Sequence, residues 1–475
     1  MKRSYFVIGC FILSLILLSS CKLGESSNPP DVKTTFTPKG ISAESKTKYN
    51  INLKMNSSEM FEVKANIDII NDSKDTWNEL VFYLIPNIFT EMGTGTLTIQ
   101  EIKIDGENAK YTLEEDNLKI QLESGLVSKG ERSVEFSYKF TLPENGLRFT
   151  KNNGNLYLAQ FYPMLATYRN HSWNKEDYRL QGETYHTGFS DFHVTYQLPE
   201  GYTLVSTSPN DSYPSRDKGT LQASQVKEFF IAILQNPSAI EKEVNQTNIR
   251  VFGFDEDTEF LKEITEIAAD VLTYFEKTIG QYPYDQIDIV LDGMSMEYPG
   301  IVTAHSIDNT ALPPDLLKKT VVHELAHQWF YGIISNDPYH EAWLDEGFAE
   351  FATYLYAYSR PNRNVPYEEL YRMIAGLESM PVNLSLDEYG GRTSYIYLKS
   401  TVMLWKLFEQ RGGLKEAEEF LKTYYDYYKF KEVNSKEFIR FTKYYFNLKD
   451  DSAFKEWLQL NSGVGRTSTL YTVLF

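Results

Sequence analysis

HELAHQWFYGIISNDPYHEAWLDEGFAEF, residues 323–351, reads as a helix, a loop and a second helix. Pro313-Pro314 opens the first helix ahead of the quoted run and Gly332 closes it, so the spacing predicts a helix over 314–331. His323 and His327 stand at i and i+4 on one face, where two imidazoles reach a single cation and Glu324 lies beside it. Glu346 follows His327 after 18 intervening residues, near the start of a helix expected over 342–358. The loop 332–339, with Asn336-Asp337-Pro338 as its turn, is long enough to bring that helix back antiparallel. Two histidines, one carboxylate and a position left open for water are the donors of a catalytic zinc site, although other first-row dications accept the same set.

The same run is similar to the zinc signature of the aminopeptidase N family of gluzincin zinc metallopeptidases, HExxH followed by the glutamate of WLxEGFA. The resemblance implies one Zn²⁺ per chain on His323, His327 and Glu346, and peptide hydrolysis in which Glu324 takes a proton from water and passes it to the leaving amine. Upstream, GQYPYDQIDIVLDGMSMEYPGIV (280–302) resembles the strand that carries GxMEN, whose glutamate binds the free ammonium of the substrate; Glu297 is the matching residue. Met294 stands where that pattern has glycine and Tyr298 where it has asparagine, so an aminopeptidase is expected with an endopeptidase as the alternative. Downstream, YIYLKSTVML (395–404) resembles the YxKGA segment, and register with Lys399 makes Tyr397 the donor to the developing oxyanion, with Tyr395 as runner-up. LYLAQFYPMLATY (156–168) and GETYHTGFSDFHVTYQLPEGYTLVSTSP (182–209) look like the saddle-shaped β domain of bacterial members. Gln160 is there the residue implied to help hold the substrate amine, a plain edge-strand glutamine being the other reading. About 130 residues follow Glu346, too few for the large helical domain that longer relatives carry. A non-catalytic peptide-binding protein of this fold would have no physical need of Glu324.

Outward from the motif, the hydrophobic period divides the chain. From Tyr49 to about Gln246 apolar residues alternate, as in Ile51, Leu53, Met55 and in Val134, Phe136, Tyr138, Phe140, with Asp105-Gly106 and Pro199-Glu200-Gly201 as turns between runs. After Asp257 as an expected N-cap, Phe260, Leu261, Ile264, Ile267, Ala268, Val271, Leu272 and Phe275 share one helical face. A strand follows at Ile287, Ile289 and Leu291, and from Pro313 onward nearly everything reads as helix. The expected fold is α+β and multidomain: an N-terminal antiparallel β saddle domain (49–246), then a thermolysin-like, mainly helical catalytic domain (247–475).

The first 48 residues read differently. Lys2 and Arg3, an apolar stretch over 6–18 and Leu18-Ser19-Ser20-Cys21 form a signal peptide (1–20) whose end resembles a bacterial lipobox, and the apolar stretch is short for a membrane-spanning helix. Cys21 is then the acylated N-terminus and 21–48, rich in Ser, Thr, Pro and Lys, a tether, which predicts a lipid-anchored protein outside the cytoplasm on a bacterial membrane or cell surface. Cys10 and Cys21 are the only cysteines, so no disulfide framework exists. A formal charge of −18 with no long basic run excludes nucleic acid as a partner and leaves peptides and the membrane. His171, His186, His193, His305 and His340 have no partner at metal-binding spacing and are read as surface or satisfied core residues. Glu350, one turn after Glu346, is expected as an exposed helical glutamate; its alternative is a carboxylate that orients a ligating imidazole.

Overall fold

Alternation at period two builds the first half of the molecule. The computed structural model describes residues 36–179, 182–254, 258–307 and 312–460; Cys21 and Asp257 lie outside them. In Ser45–Met55 and Phe61–Asn71 every second side chain is buried: Tyr49, Ile51, Leu53 and Met55 on one strand, Phe61, Val63, Ala65, Ile67 and Ile69 on the next. These two strands lie inside a seven-stranded sheet whose order is Lys218–Val226, Ser190–Gln197, Ser45–Met55, Phe61–Asn71, Glu131–Thr141, Thr96–Ile104, Glu107–Asn108. All its pairings are antiparallel except one, since Ser45–Met55 runs parallel to Ser190–Gln197. Two four-stranded sheets, centred on Trp77–Tyr83 and on Ile231–Gln235, contribute Leu80, Phe82, Leu158, Ile231 and Ile233 to the same apolar core.

The second half is laid on a mixed sheet of Ser238–Val244, Thr247–Gly253, Gln286–Leu291 and Ile301–Ala304, with parallel pairing between the last three. Its first hairpin, already begun at Ser238, crosses position 246, where the sequence reading changes domain. Gln286–Leu291 is buried at every residue, as a strand covered on both faces must be. The helices, in chain order, are a short α1 (Pro86–Glu91) in the β half, then α2 (Thr258–Thr278), α3 (Pro314–Ala326), α4 (Glu346–Tyr358), α5 (Tyr367–Ile374), α6 (Leu398–Phe408), α7 (Leu414–Tyr428) and α8 (Ser435–Phe446). The predicted face of α2 is buried apart from Ile267, which is half-buried. The architecture is thus a multidomain α+β one, an N-terminal β domain followed by a mainly helical region.

A buried polar network ties the helical half to the β half beside the loop that connects α3 and α4. Arg169 and His186, from the β half, both reach Glu432, the imidazole Nε2 at 3.0 Å. Asn174 donates to Asp337 Oδ2 at 3.0 Å, and Asp337 Oδ1 in turn accepts the backbone N–H groups of Tyr339 and His340. The turn at 336–340 is therefore fixed by groups from both halves, as buried charges require if they are not to be left unpaired.

Candidate metal centre and active site

Pro314 at the first position of α3 costs no hydrogen bond, and the helix then runs to Ala326 with His327 as its closing residue. This is shorter than the helix predicted to Tyr331. Beyond His327 the chain runs through a turn in which Tyr331 adopts φ 127°, and the Phe330 carbonyl accepts from His327 Nδ1 at 3.0 Å. At the other side of the site Asp345 caps α4, its Oδ1 accepting the Glu346 N–H at 2.7 Å while Oδ2 accepts from Asn336 Nδ2 at 2.8 Å. The cap fixes the helix start and with it the direction of Glu346.

His323 Nε2 and His327 Nε2 each stand 3.2 Å from Glu346 Oε2 and 3.1 Å from one another. The ligand atoms of these three residues all lie within 4.8 Å, the one such group among the described residues. Each ring is oriented from behind: His327 by the Phe330 carbonyl, His323 by Glu350 Oε2 at 3.2 Å from Nδ1. Glu350 is itself bonded by Lys319 Nζ at 2.5 Å. The expectation of an exposed helical glutamate is thus corrected, because the α3–α4 packing brings Glu350 against the imidazole and covers most of it. Two nitrogen donors and one carboxylate oxygen, with both rings locked in the tautomer that presents Nε2, fit a tetrahedral first-row dication with one position facing the cleft.

The cleft, about 350 Å³, is lined by these three residues together with Glu297, Glu324, Tyr397, Glu183 and Arg148. Tyr397 donates its hydroxyl to Glu346 Oε1, whereas Tyr395 is buried against Tyr389, with Lys399 over its ring. Gln160 is buried, its amide donating to Glu228 Oε2 at 3.3 Å, and it is not among the residues that line the cleft. Glu183 and Arg148 were not foreseen. Neither carries a motif of its own, and only the fold brings Gly182, Glu183 and Arg148 to the cleft.

Burial dominates the electrostatics. It pushes the Glu324 carboxyl up to about 7, with the neighbouring Glu346 adding and the two imidazoles opposing. Glu297 rises to about 7 by burial against the pull of His327, and Glu183 to about 8 by burial and the nearby Glu297, with Arg148 opposing. Burial would also raise Glu346, but the hydrogen bonds from His323 and His327 outweigh it and hold this carboxyl well below the usual range. Perturbed carboxyls gathered in one cleft mark it as a candidate functional site.

Comparison with known proteins agrees with this geometry. Residues 264–457 match the peptidase family M1 domain. The chain is similar to the alanine/arginine aminopeptidase of Saccharomyces cerevisiae, 28% identical over 190 residues that are 37% of this chain and 21% of that one. It is also similar to aminopeptidase N of Lactobacillus delbrueckii, 23% identical over 54% of this chain and 32% of that protein. The chain spans between 17% and 32% of the length of the first curated relatives it matches. In fold it is similar to an M1 zinc metallopeptidase from Deinococcus radiodurans, with a TM-score of 0.67 at 15% identity over 88% of this chain and 95% of that one. The matched residues 264–457 contain the three candidate ligands together with Glu324, Glu297 and Tyr397, so the likeness to the peptidase family M1 domain covers the whole candidate site except Glu183 and Arg148.

Proposed function

We propose that the chain is a zinc-dependent metallopeptidase that removes residues from the free N-termini of peptides. The observation that carries this reading is the convergence, in one cleft, of the His323, His327 and Glu346 donors with Glu324, Tyr397 and the carboxyls of Glu297 and Glu183. A substrate-bound structure of a mutant of the Deinococcus metallopeptidase, in which that protein holds a Tyr-Ser-Ala substrate, supports a peptide as the class of ligand.

Zinc, when bound, supplies a Lewis acid that polarises a carbonyl and strengthens water as a nucleophile near neutral pH. Glu324, raised to about 7, is matched to taking a proton from the attacking water and returning it to the leaving amine. Tyr397 points its hydroxyl at the ligand cluster and is the donor available to an oxyanion that develops there. Glu297 and Glu183 surround the far side of the cleft with negative charge on ionisation, and an ammonium between them restores pairing to two desolvated carboxylates.

Comparing kcat/KM on a free peptide and on its N-acetylated twin tests this reading, in wild type and in Glu297→Ala. A charge-assisted hydrogen bond is worth about 1.5–3 kcal/mol, so the free peptide is expected to be preferred by about ten- to a hundredfold in wild type and far less in the variant. Equal rates on both substrates in wild type would reject the free-terminus reading in favour of an endopeptidase.

We place the protein outside the cytoplasm, held on a bacterial membrane by acyl chains on Cys21, on the sequence of the 1–20 leader alone. Among the described residues no helix is long and apolar enough to cross a membrane. Cys21→Ser is expected to shift the protein out of the membrane fraction or to block its processing. Recovery of the wild-type protein with Met1 intact at its N-terminus would defeat the assignment.

A further inference from the structure

Residues 38–44 have the composition of a tether, yet they are bonded to the fold at both ends. Toward the β half, the Ala43 carbonyl accepts from the Tyr168 N–H at 3.1 Å and the Glu44 carbonyl from the Asp72 N–H at 2.9 Å, after which the chain enters Ser45–Met55. Toward the helical half, the Lys39 N–H donates to Glu437 Oε1 on α8 at 2.8 Å, and the Ile41 N–H donates to the Glu432 carbonyl at 2.8 Å in an antiparallel bridge. Gly40 permits this approach: a Cβ there would stand 2.9 Å from Lys431 Cβ and 3.1 Å from its Cγ.

What Ile41 holds lies one strand away from the backing of the metal centre. Lys431–Glu432 pairs in parallel with Ile334–Ser335, and the Phe430 and Val433 N–H groups donate to the Ile333 and Ser335 carbonyls at 2.8 Å each. Ile334 is bridged in turn to Phe330; the Tyr331 N–H donates to the Ile334 carbonyl at 2.9 Å, and the Ile334 N–H to the Trp329 carbonyl at 2.8 Å. That turn supplies the Phe330 carbonyl that orients the His327 ring. On its other side Ser335 leads directly into Asn336, whose amide holds the Asp345 cap from which Glu346 starts. Backbone bonds thus link Ile41 to the segment that supports two of the three candidate ligands. Glu432 is buried, so loss of the Ile41 N–H leaves its carbonyl short of a donor.

We propose that Gly40 and Ile41 are positioning residues of the metal centre: by pinning Lys431–Glu432, the Ile41 N–H fixes Ile334–Ser335, and with it the turn that aims His327 and the cap that aims Glu346. The proposal rests on the metal centre of the function given above and on no feature of the substrate. A segment that only fastened the two halves together would, when weakened, lower stability and leave the ligands as they were. A positioning segment also changes how tightly, and in what geometry, the site holds its metal.

The test uses the full chain. Zinc affinity is measured by competition with a chelator, ligand geometry by the absorption spectrum of the cobalt-loaded protein, and stability by urea unfolding of the metal-free protein. Ile41→Pro removes the N–H, while Ile41→Ala keeps it and shortens the side chain. Ile41→Pro is expected to bind zinc about tenfold more weakly than wild type, with an altered cobalt spectrum and with most of its kcat restored by added zinc. Ile41→Ala should match wild type in affinity and spectrum. Gly40→Ala should weaken zinc binding in the wild-type background and not in Lys431→Gly, where the obstructing Cβ is gone. Unchanged affinity and spectrum in folded Ile41→Pro and Gly40→Ala, whatever their stability, overturn the proposal and leave the segment a fastening between the halves. A loss in Ile41→Ala equal to that in Ile41→Pro overturns it too, because the effect then lies in side-chain packing. If Ile41→Pro does not fold, Gly40→Ala with and without Lys431→Gly decides. A wild type that takes up no zinc rejects the metal centre, and the proposal with it. Metal binding is read without substrate, so a wild type that binds zinc and hydrolyses no peptide rejects the activity alone, and the same affinities decide the role of Ile41.

Discussion

Glu324 and Glu350 are both glutamates one residue or one turn from a candidate ligand, and their surroundings give them different work. Glu324 faces the cleft and makes no hydrogen bond to either imidazole, while Glu350 sits behind His323 Nδ1 and is pinned by Lys319. Substituting glutamine separates them. Glu324→Gln should keep its zinc and its melting temperature and lose nearly all turnover, because an amide accepts no proton from water. Glu350→Gln should weaken zinc affinity by about ten- to a hundredfold, since the imidazole loses its charged partner, and added zinc should restore most of its kcat. Titration with a chelator of known affinity, beside kcat at saturating zinc, checks both; a Glu324→Gln protein that turns over normally would remove that residue from the mechanism. The two histidines of the candidate ligand set were legible in the sequence because their i, i+4 spacing is a helical one, and Glu346 through its place in the resemblance to the WLxEGFA signature. Glu350 was legible only as an alternative, because i+4 spacing from Glu346 does not say which helix faces it. Glu183 and Arg148 were not legible at all, since their approach to the cleft depends on how the β half closes over it.

Where α4 meets α6, the element that carries Glu346 approaches its neighbour unusually closely. A Cβ on Gly347 would stand 2.4 Å from Ser400 Oγ, 2.8 Å from Ser400 Cβ and 3.2 Å from the Ile396 carbonyl, and the Gly347 carbonyl already accepts from Thr401 Oγ1 at 3.1 Å. Alanine is the better helix former by roughly 1 kcal/mol. That gain is smaller than the strain of separating two packed helices, about 1–3 kcal/mol for overpacking, because Ser400 Oγ can rotate aside but Ser400 Cβ and the Ile396 carbonyl cannot. Gly347→Ala should therefore lower stability by on the order of 1–2 kcal/mol and weaken zinc binding through the adjacent Glu346. Gly376→Ala, where an added Cβ meets nothing within 4 Å, is the control and should change little. Denaturant titration of the two variants decides, and equal stabilities would show that α4 and α6 can part freely. The same elements show what periodicity can and cannot report. Trp329, Phe330 and Tyr331 continue the apolar pattern of α3, so the helix was read to Tyr331, but they are buried in a turn whose backbone serves His327. In the β half the alternation located Ser45–Met55 and its partners, yet a strand buries every second residue whichever way its neighbour runs, so the parallel pairing with Ser190–Gln197 left no trace in the pattern.

Beyond the network at Glu432 and Asp337, the two halves meet also at Glu228, a fully enclosed carboxyl from the β half. It accepts from Tyr185 at 3.0 Å and Gln160 at 3.3 Å on its own side, and from Tyr331, which arrives from the turn after α3. Tyr185 Oη also lies 3.1 Å from Glu183 Oε1 and shares its one proton between the two carboxyls, so the chain of contacts runs from the domain junction to the cleft wall. Burial, and after it the charge of Glu183, pushes Glu228 up to about 7 although its three donors pull the other way. The unfolded chain releases this proton near 4.5, the ordinary value for a glutamate, and the folded protein holds it to about 7. Between those values the folded state binds the extra proton, so the associated stability is present in full below about pH 4.5 and is lost as the pH rises through about 7. The sign is opposite to that of a salt-bridged carboxylate. Glu228→Gln keeps the size and removes the titration, at the cost of an acceptor for one of the three donors. The variant should thus be less stable than wild type at pH 5, with the gap narrowing toward pH 8 by no more than about 1.4 kcal/mol per pH unit, the limit for one proton. Part of the wild-type slope should survive in the variant, because Glu183 is raised to about 8 by the same burial. Urea unfolding at half-unit intervals from pH 5 to 8 measures the gap. Two curves that stay parallel across that range would mean that Glu228 is ionised throughout, its charge carried by Tyr185, Tyr331 and Gln160, and that the junction between the halves is held by an anion rather than by a neutral acid.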